Sequence, residues 1–289
     1  MLTRILACLV LFVLGLAVTR STATAETERR TGWIVYWSEN PWPSIWVLPP
    51  NGSRGRRILK NRQNAKRPRL SPDRMWVAFD GTPPGKPVLS DFDVQVVGLN
   101  GTGLHTLTNS SDWDLDAQWS PDGNWLSFTR NPPSPIDCSN SSVWIMRRDG
   151  SDLRRIVAGC GARWSPDGHR LVYTSTRGKG LFVVNIDGGA PRRLLAGRLP
   201  QAAAGWSRSG RVLFTRSHDH IGRIADVMVT NADGTGVRKL ADGFAGSWSP
   251  RGTRILYTKT FFSALFVMNA DGSHKHRVSR AIAAEPDWR

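Results

Sequence analysis

The sequence predicts an all-β fold, a six-bladed β-propeller with four antiparallel strands in each blade, and three observations carry that expectation. Trp-Ser-Pro-Asp-Gly or a near variant recurs at Leu70 to Arg74, Trp119 to Gly123, Trp164 to Gly168, Trp206 to Gly210 and Trp248 to Gly252, with a sixth copy cut at Trp288. The first residues of these copies lie 49, 45, 42, 42 and 40 apart, close to the period of one propeller blade. A second motif follows each first one: an apolar strand, Asn or Asp with Gly, then a basic and apolar strand, its glycines being Gly52, Gly101, Gly150, Gly188, Gly234 and Gly272. Between the motifs lie short β-rich segments such as Arg170 to Thr174 and Arg254 to Thr258, bounded by turn residues, which excludes a helical solenoid of the same period.

Taken from the N-terminus, residues 1–25 read as a signal peptide. Arg4 precedes an apolar run from Ile5 to Val18, and Ala23-Thr24-Ala25 is a small-x-small cleavage pattern. The run is shorter than the ~20 residues a membrane-spanning helix needs, so cleavage is expected near Ala25 and no membrane anchor is expected to remain. Residues 26–31 form a short leader and 32–289 the propeller. The expected compartment is therefore extracytoplasmic, secreted or periplasmic, where the pair Cys138 and Cys160 can form a disulfide.

Within each blade, Ser-Pro-Asp-Gly joins strand A to strand B, because Pro presets φ at the second position of a type I turn and Gly suits the fourth. Asp-Gly or Asn-Gly joins strand C to strand D. Strand B ends in an aromatic in every blade: Tyr36, Phe79, Phe128, Tyr173, Phe214 and Tyr257. One large ring per blade is expected to pack between neighbouring sheets. The segment ending at Trp288 matches a strand A and Gly32 to Trp37 a strand B, so the N- and C-terminal strands are expected to share one blade and close the ring.

These residues resemble the TolB-type propeller repeat, a relative of the WD repeats, over nearly all of the chain after the signal peptide. The resemblance implies the fold; similar blades occur in periplasmic binding proteins, in peptidase accessory domains and in some sugar-acid lyases, so the repeat alone assigns no activity. TolB carries an α/β domain ahead of its propeller, whereas about six residues separate the expected cleavage site from the first strand here, which leaves a role in a Tol system unassigned.

Function is expected on the face that carries the irregular B to C and D to A loops, or in the central channel. On that face Asp91, Asp93, Asp112, Asp114 and Asp116 put five carboxylates on adjacent loops, and Trp42 and Trp113 offer rings for a sugar or a partner. Asp91, Asp93, Asp112, Asp114, Trp42 and Trp113 are the candidate binding residues. Asp91, Asp93, Asp114 and Asp116, with His218 and His220, are the candidates for a divalent cation such as calcium, against the plainer reading of carboxylates and imidazoles that cap turns. No cofactor is expected otherwise. Serine-hydrolase elbow and phosphate-loop patterns are missing from the sequence.

The chain has 39 Lys and Arg against 23 Asp and Glu, a net charge of +16. Arg56-Arg57, Arg154-Arg155, Arg192-Arg193 and Arg238-Lys239 take the same two positions of strand D, with Arg277 at the second of them. Charge on outermost strands opposes sheet-to-sheet aggregation and can give weak adhesion to anionic envelope polymers; it lacks the interleaved aromatics of a nucleic-acid groove. The expected function is a monomeric, non-enzymatic binding propeller of the bacterial cell envelope that recognises a protein, peptide or glycan, the alternative being a metal-assisted lyase or hydrolase at the channel mouth.

Overall fold

The computed structural model describes residues 33–288 apart from 39–43, 50–54, 60–63, 88–90, 134–137, 177–179, 198, 220–223, 261–262 and 279–283. The expected signal peptide and leader lie outside the described residues. The described residues contain strands and turns and no helix, hence none long and apolar enough to cross a membrane.

The strands are, in chain order, β1 (Ile34–Ser38), β2 (Ser44–Leu48) and β3 (Arg56–Arg57); β4 (Lys66–Leu70), β5 (Trp76–Gly81), β6 (Asp93–Gly98) and β7 (His105–Thr106); β8 (Trp113–Trp119), β9 (Trp125–Asn131), β10 (Ser142–Arg147) and β11 (Arg154–Trp164). Then follow β12 (Arg170–Ser175), β13 (Leu181–Asn185) and β14 (Arg192–Leu195); β15 (Gln201–Trp206), β16 (Val212–Ser217), β17 (Ala225–Thr230) and β18 (Arg238–Asp242); β19 (Phe244–Trp248), β20 (Arg254–Thr258), β21 (Leu265–Asn269), β22 (His276–Arg277) and β23 (Ala284–Trp288). They form an all-β propeller. The inner strands β4, β8, β11, β15, β19 and β23 each touch the next, and β23 touches β4, so the ring is closed.

The sheets depart in one place from the expected set of separate four-stranded blades. Four sheets are four-stranded, but β8 to β14 form one seven-stranded sheet. The reason is β11, which runs without a loop from Arg154 to Trp164, its first half paired with β10 and its second with β12. Cys160 therefore lies in this strand opposite Thr174. Gly159 (φ 150°) and Gly161 (φ 64°) supply backbone conformations that let one strand serve two sheets. The disulfide to Cys138, with Cα atoms 5.4 Å apart, ties the β9–β10 connection to this junction.

Among the described residues six apolar clusters hold neighbouring sheets together, and each contains one of the strand B rings, which lie inside the strand rather than at its end because each strand runs one to three residues further. Phe79, Phe128, Tyr173, Phe214, Tyr257 and Tyr36 are all at most 4 % exposed. Phe214, for example, packs with Val172, Val183 and Leu194 of the preceding sheet and with Val212 and Met228 of its own. Closure is as expected from the sequence: β1 pairs with β23, Ile34 opposite Trp288, and the Asp287 carboxylate accepts the Leu70 amide at 3.0 Å from the next inner strand.

The basic outer strands act between sheets. The first arginine of each pair donates to a backbone carbonyl in the C to D turn of the following unit: Arg56 to Leu99 (2.8 Å), Arg154 to Ile186 (2.9 Å), Arg192 to Ala232 (3.1 Å) and Arg238 to Asp271 (3.1 Å). The glycine of the receiving turn explains the Asn-Gly and Asp-Gly repeat. A Cβ on Gly101 or Gly234, both at positive φ, would collide with the carbonyl of Ile58 or Leu194 on the preceding unit. His105 and His276 take the latch position in the other two units, and their rings face carbonyls of their own turns.

Removing residues 284–289 is expected to expose the β1 edge and the cluster around Tyr36 and Trp288. Thermal denaturation should show loss of the cooperative transition of the whole ring, and retention of the full-length transition would mean that the shared unit does not hold the ring shut.

Candidate functional site

Each inner strand carries a register shift against its neighbour, between Lys66 and Arg69, Leu115 and Gln118, Cys160 and Arg163, Ala203 and Gly205, Ala245 and Ser247, and at the Ala284 to Asp287 end of β23. Such a bulge bends the strand and re-aims side chains. In three units its residue is left-handed: Arg67 (φ 49°), Asp116 (φ 57°) and Gly161 (φ 64°). A non-glycine residue held there stores strain of order 1 kcal/mol, which its contacts must offset.

Those contacts form a charged network across one wall of the channel. The Asp116 carboxylate accepts from Arg163 Nη1 (2.6 Å), Gln118 Nε2 (3.0 Å) and Arg69 Nη2 (3.2 Å), so residues from three inner strands meet on one group. Asp80 accepts from Arg67 Nη1 (2.9 Å) and from the Asp116 amide (2.8 Å). Burial pushes the Asp116 carboxyl upward, but the Arg163, Arg69 and Arg67 charges outweigh it and hold the group below the usual carboxylate range.

Below this network, at the end of the ring formed by the A to B turns, lies a cavity of about 520 Å³. Trp119, Trp164, Trp206, Trp248 and Trp288, one from each of five inner strands, wall it, with Pro72, Pro121, Pro166 and Pro250 of the adjoining turns. The Trp-Ser-Pro-Asp-Gly repeat is thus the cavity's frame. Its serine accepts the amide of the first strand B residues, as Ser120 does from Trp125 (2.9 Å) and Ser249 from Arg254 (3.0 Å), and donates to the turn aspartate where there is one. The Ser165 hydrogen bond lowers Asp167 to about 2. Asp73 and Asp122 also sit below the ordinary range, where burial is outweighed by hydrogen bonds from Ser71 and Ser120 and from backbone amides.

The residues expected at the opposite end are distributed differently from the sequence reading. Asp93, Trp113, Asp114 and Asp116 stand on strands rather than loops. Trp42 and His220 lie outside the described residues. Asp91 pairs with Lys86 at 3.0 Å, and Asp93, fully buried, lies 3.7 Å from the same ammonium while accepting from Thr108 (3.0 Å) and the Ser110 amide (3.3 Å). Asp114 takes a two-pronged contact from Arg130 at 2.7 and 2.8 Å. Burial pushes both Asp93 and Asp114 upward, against the hydrogen bonds and cations that favour their charged forms. Asp112 is half-buried, its amide donating to Ser110 (3.1 Å), and Trp113 packs edge-on against Phe92 at 5.2 Å. His218 and Lys239 both meet Asp226 at 2.7 Å. Asp91, Asp93, Asp114 and Asp226 are thus engaged by cations, Lys86 serving both Asp91 and Asp93, and among the described residues no three His, Cys, Asp or Glu side chains gather as metal ligands.

Sequence reasoning named the central channel but none of the residues that wall this cavity, because irregular loops stand out while repeated turns look uniform. The available signal was on the inner strands, where Ala203-Ala204-Gly205 and Ala245-Gly246-Ser247 stand in place of larger residues.

A closed ring of sheets around a central channel whose turn-end mouth is walled by indole rings defines a β-propeller. The profile of the TolB beta propeller domain matches residues 136–289, and the chain belongs to that family. No curated protein matches it in sequence. Among solved structures, it is similar to TolB from Acinetobacter baumannii (20 % identity, TM-score 0.70), covering 89 % of this chain and 66 % of that one, so it spans just under two thirds of that protein. It is also similar to a putative TolB from Agrobacterium tumefaciens (15 %, TM-score 0.64; 89 % and 91 % covered) and to Kuenenia stuttgartiensis hydrazine synthase (12 %, TM-score 0.71; 91 % and 48 % covered). At these identities the likeness is one of fold.

Two outcomes are expected from the network and the turns. Asp116→Ala leaves Arg69 and Arg163 without their shared carboxylate and should destabilise the protein by about 3 kcal/mol in urea denaturation. Because Asp167 ionises more readily folded than unfolded, its contribution is complete above the unfolded pKa of about 3.9 and is lost as the pH falls through about 2. Asp167→Asn should therefore lower Tm at neutral pH and flatten its fall in acid; an unchanged acid profile would remove this residue from the account.

Proposed function

We propose that this chain is a six-bladed, non-enzymatic binding propeller of the bacterial cell envelope that receives a segment of a protein or peptide in the turn-end mouth of its central channel. The count of six rests on six inner strands and six inter-sheet clusters, with the halves of β11 serving two blades. The observation that carries the binding reading is the cavity of about 520 Å³, framed by the repeat itself and opening at the ring's centre. That volume falls within the range of ligand sites, and tryptophan and arginine are the side chains that most often dominate a protein contact. The Cys138–Cys160 disulfide supports an oxidising, extracytoplasmic compartment, as does the signal sequence expected over residues 1–25.

Ala204→Phe fills the cavity from a position that makes no side-chain hydrogen bond. In affinity capture from envelope extract this variant is expected to lose a partner that the parent protein and a Trp42→Ala/Asp91→Ala variant both retain, with folding checked by Tm. Loss in the double variant and retention in Ala204→Phe would move the site to the opposite face.

A further inference from the structure

Four departures from the repeat coincide in the two units that begin with β15 and β19. The first is volume. The residue before the tryptophan position, which is Leu70 in the β4 unit, is Arg69, Gln118 or Arg163 in the β4, β8 and β11 units, but Gly205 and Ser247 here, which leaves more room on this side. The second is hydrogen bonding. Trp119 Nε1 donates to the Arg69 carbonyl and Trp164 Nε1 to the Gln118 carbonyl, both at 3.0 Å, whereas Nε1 of Trp206 and of Trp248, though buried, has no acceptor. Trp248 is 6 % exposed and lines the cavity with its ring, while its Nε1 is covered within the wall, between β19 and its neighbours. A donor left so is costly unless something accepts from it.

The third and fourth departures are of charge. The turns of the β4, β8 and β11 units carry Asp73, Asp122 and Asp167, but the same position is Ser209 and Arg251 in these two. Arg208 replaces the turn proline of the β15 unit and lines the cavity, as do Arg163 and, from across the mouth, Arg74. Arg163 spends one Nη on Asp116 and the Ala162 carbonyl. On this side the turns have lost their carboxylates and gained Arg208 and Arg251, and the carboxylate that does line the cavity, Asp287, is engaged by the Leu70 amide.

From this coincidence we infer that the turn-end mouth selects a peptide segment bearing carboxylate side chains, bound on the β15 and β19 side. The inference rests on the binding reading above and names the chemistry of its ligand. Charge-assisted hydrogen bonds from Arg208 and Arg163 match a carboxylate, and the missing aspartates remove the repulsion that the other turns would exert.

The test returns these turns to the repeat's own sequence, which preserves folding. Titration calorimetry with hexaglutamate as probe and hexaglutamine as control compares the parent protein with Arg208→Pro/Ser209→Asp/Arg251→Asp and with Arg155→Asp on the exposed outer strand. Hexaglutamate should bind and hexaglutamine should not; the turn variant should weaken binding about tenfold with Tm unchanged or raised, and Arg155→Asp should not. Equal binding of the two peptides, no binding of hexaglutamate, or an equal loss in Arg155→Asp would overturn the inference. Because hexaglutamate is independent of the partner lost in Ala204→Phe, failure here leaves the channel reading standing, and failure there leaves the carboxylate selectivity to be judged on this result.

Discussion

The constraint on which everything else depends is that no sheet in this protein can bury its own two faces. Each sheet is thin, apolar on both sides and carries on its second strand a large ring that only a neighbour can cover. Stability is therefore shared around the circle, and the circle must close. The pairing of β1 with β23 does this with main-chain hydrogen bonds, so the last residues of the chain support the first and seal the edge.

Closure fixes the inner strands at short range from one another, and the channel they enclose is not symmetric. On one wall, left-handed Arg67 and Asp116 and their ion-paired neighbours fill the space and join three inner strands. On the other, glycine, alanine and serine leave it open. The filled wall supplies rigidity and the open wall supplies room, a division that four-stranded units of identical sequence could not make. Function in such a scaffold comes from the departures from its repeat, since the repeat itself is consumed by turns and packing.

The basic girdle shows how one feature can carry two physical roles. The first cation of each pair is engaged by the turn carbonyl of the next sheet, where it ties units together at their outer edge. The second remains on the exposed outer strand at Arg57, Arg155, Arg193 and Arg277 and contributes to the field that surrounds a strongly basic protein.

The sequence by itself determined the repeat, the strand order, the aromatic at each interface, the pairing of the termini and the partner of Cys138, because each depends on local turn chemistry or on a period that a linear chain displays. It also named Asp114 and Asp116, but as loop carboxylates able to share a cation. Only the tertiary structure decided that Arg130, Arg69 and Arg163 neutralise them, since those partners lie up to 47 residues away. The run-through of β11 likewise had no local signal beyond two glycines. The cavity's walls escaped for the same reason: they are made by small residues and indole rings on separate strands, and the space between strands exists only once the ring has closed.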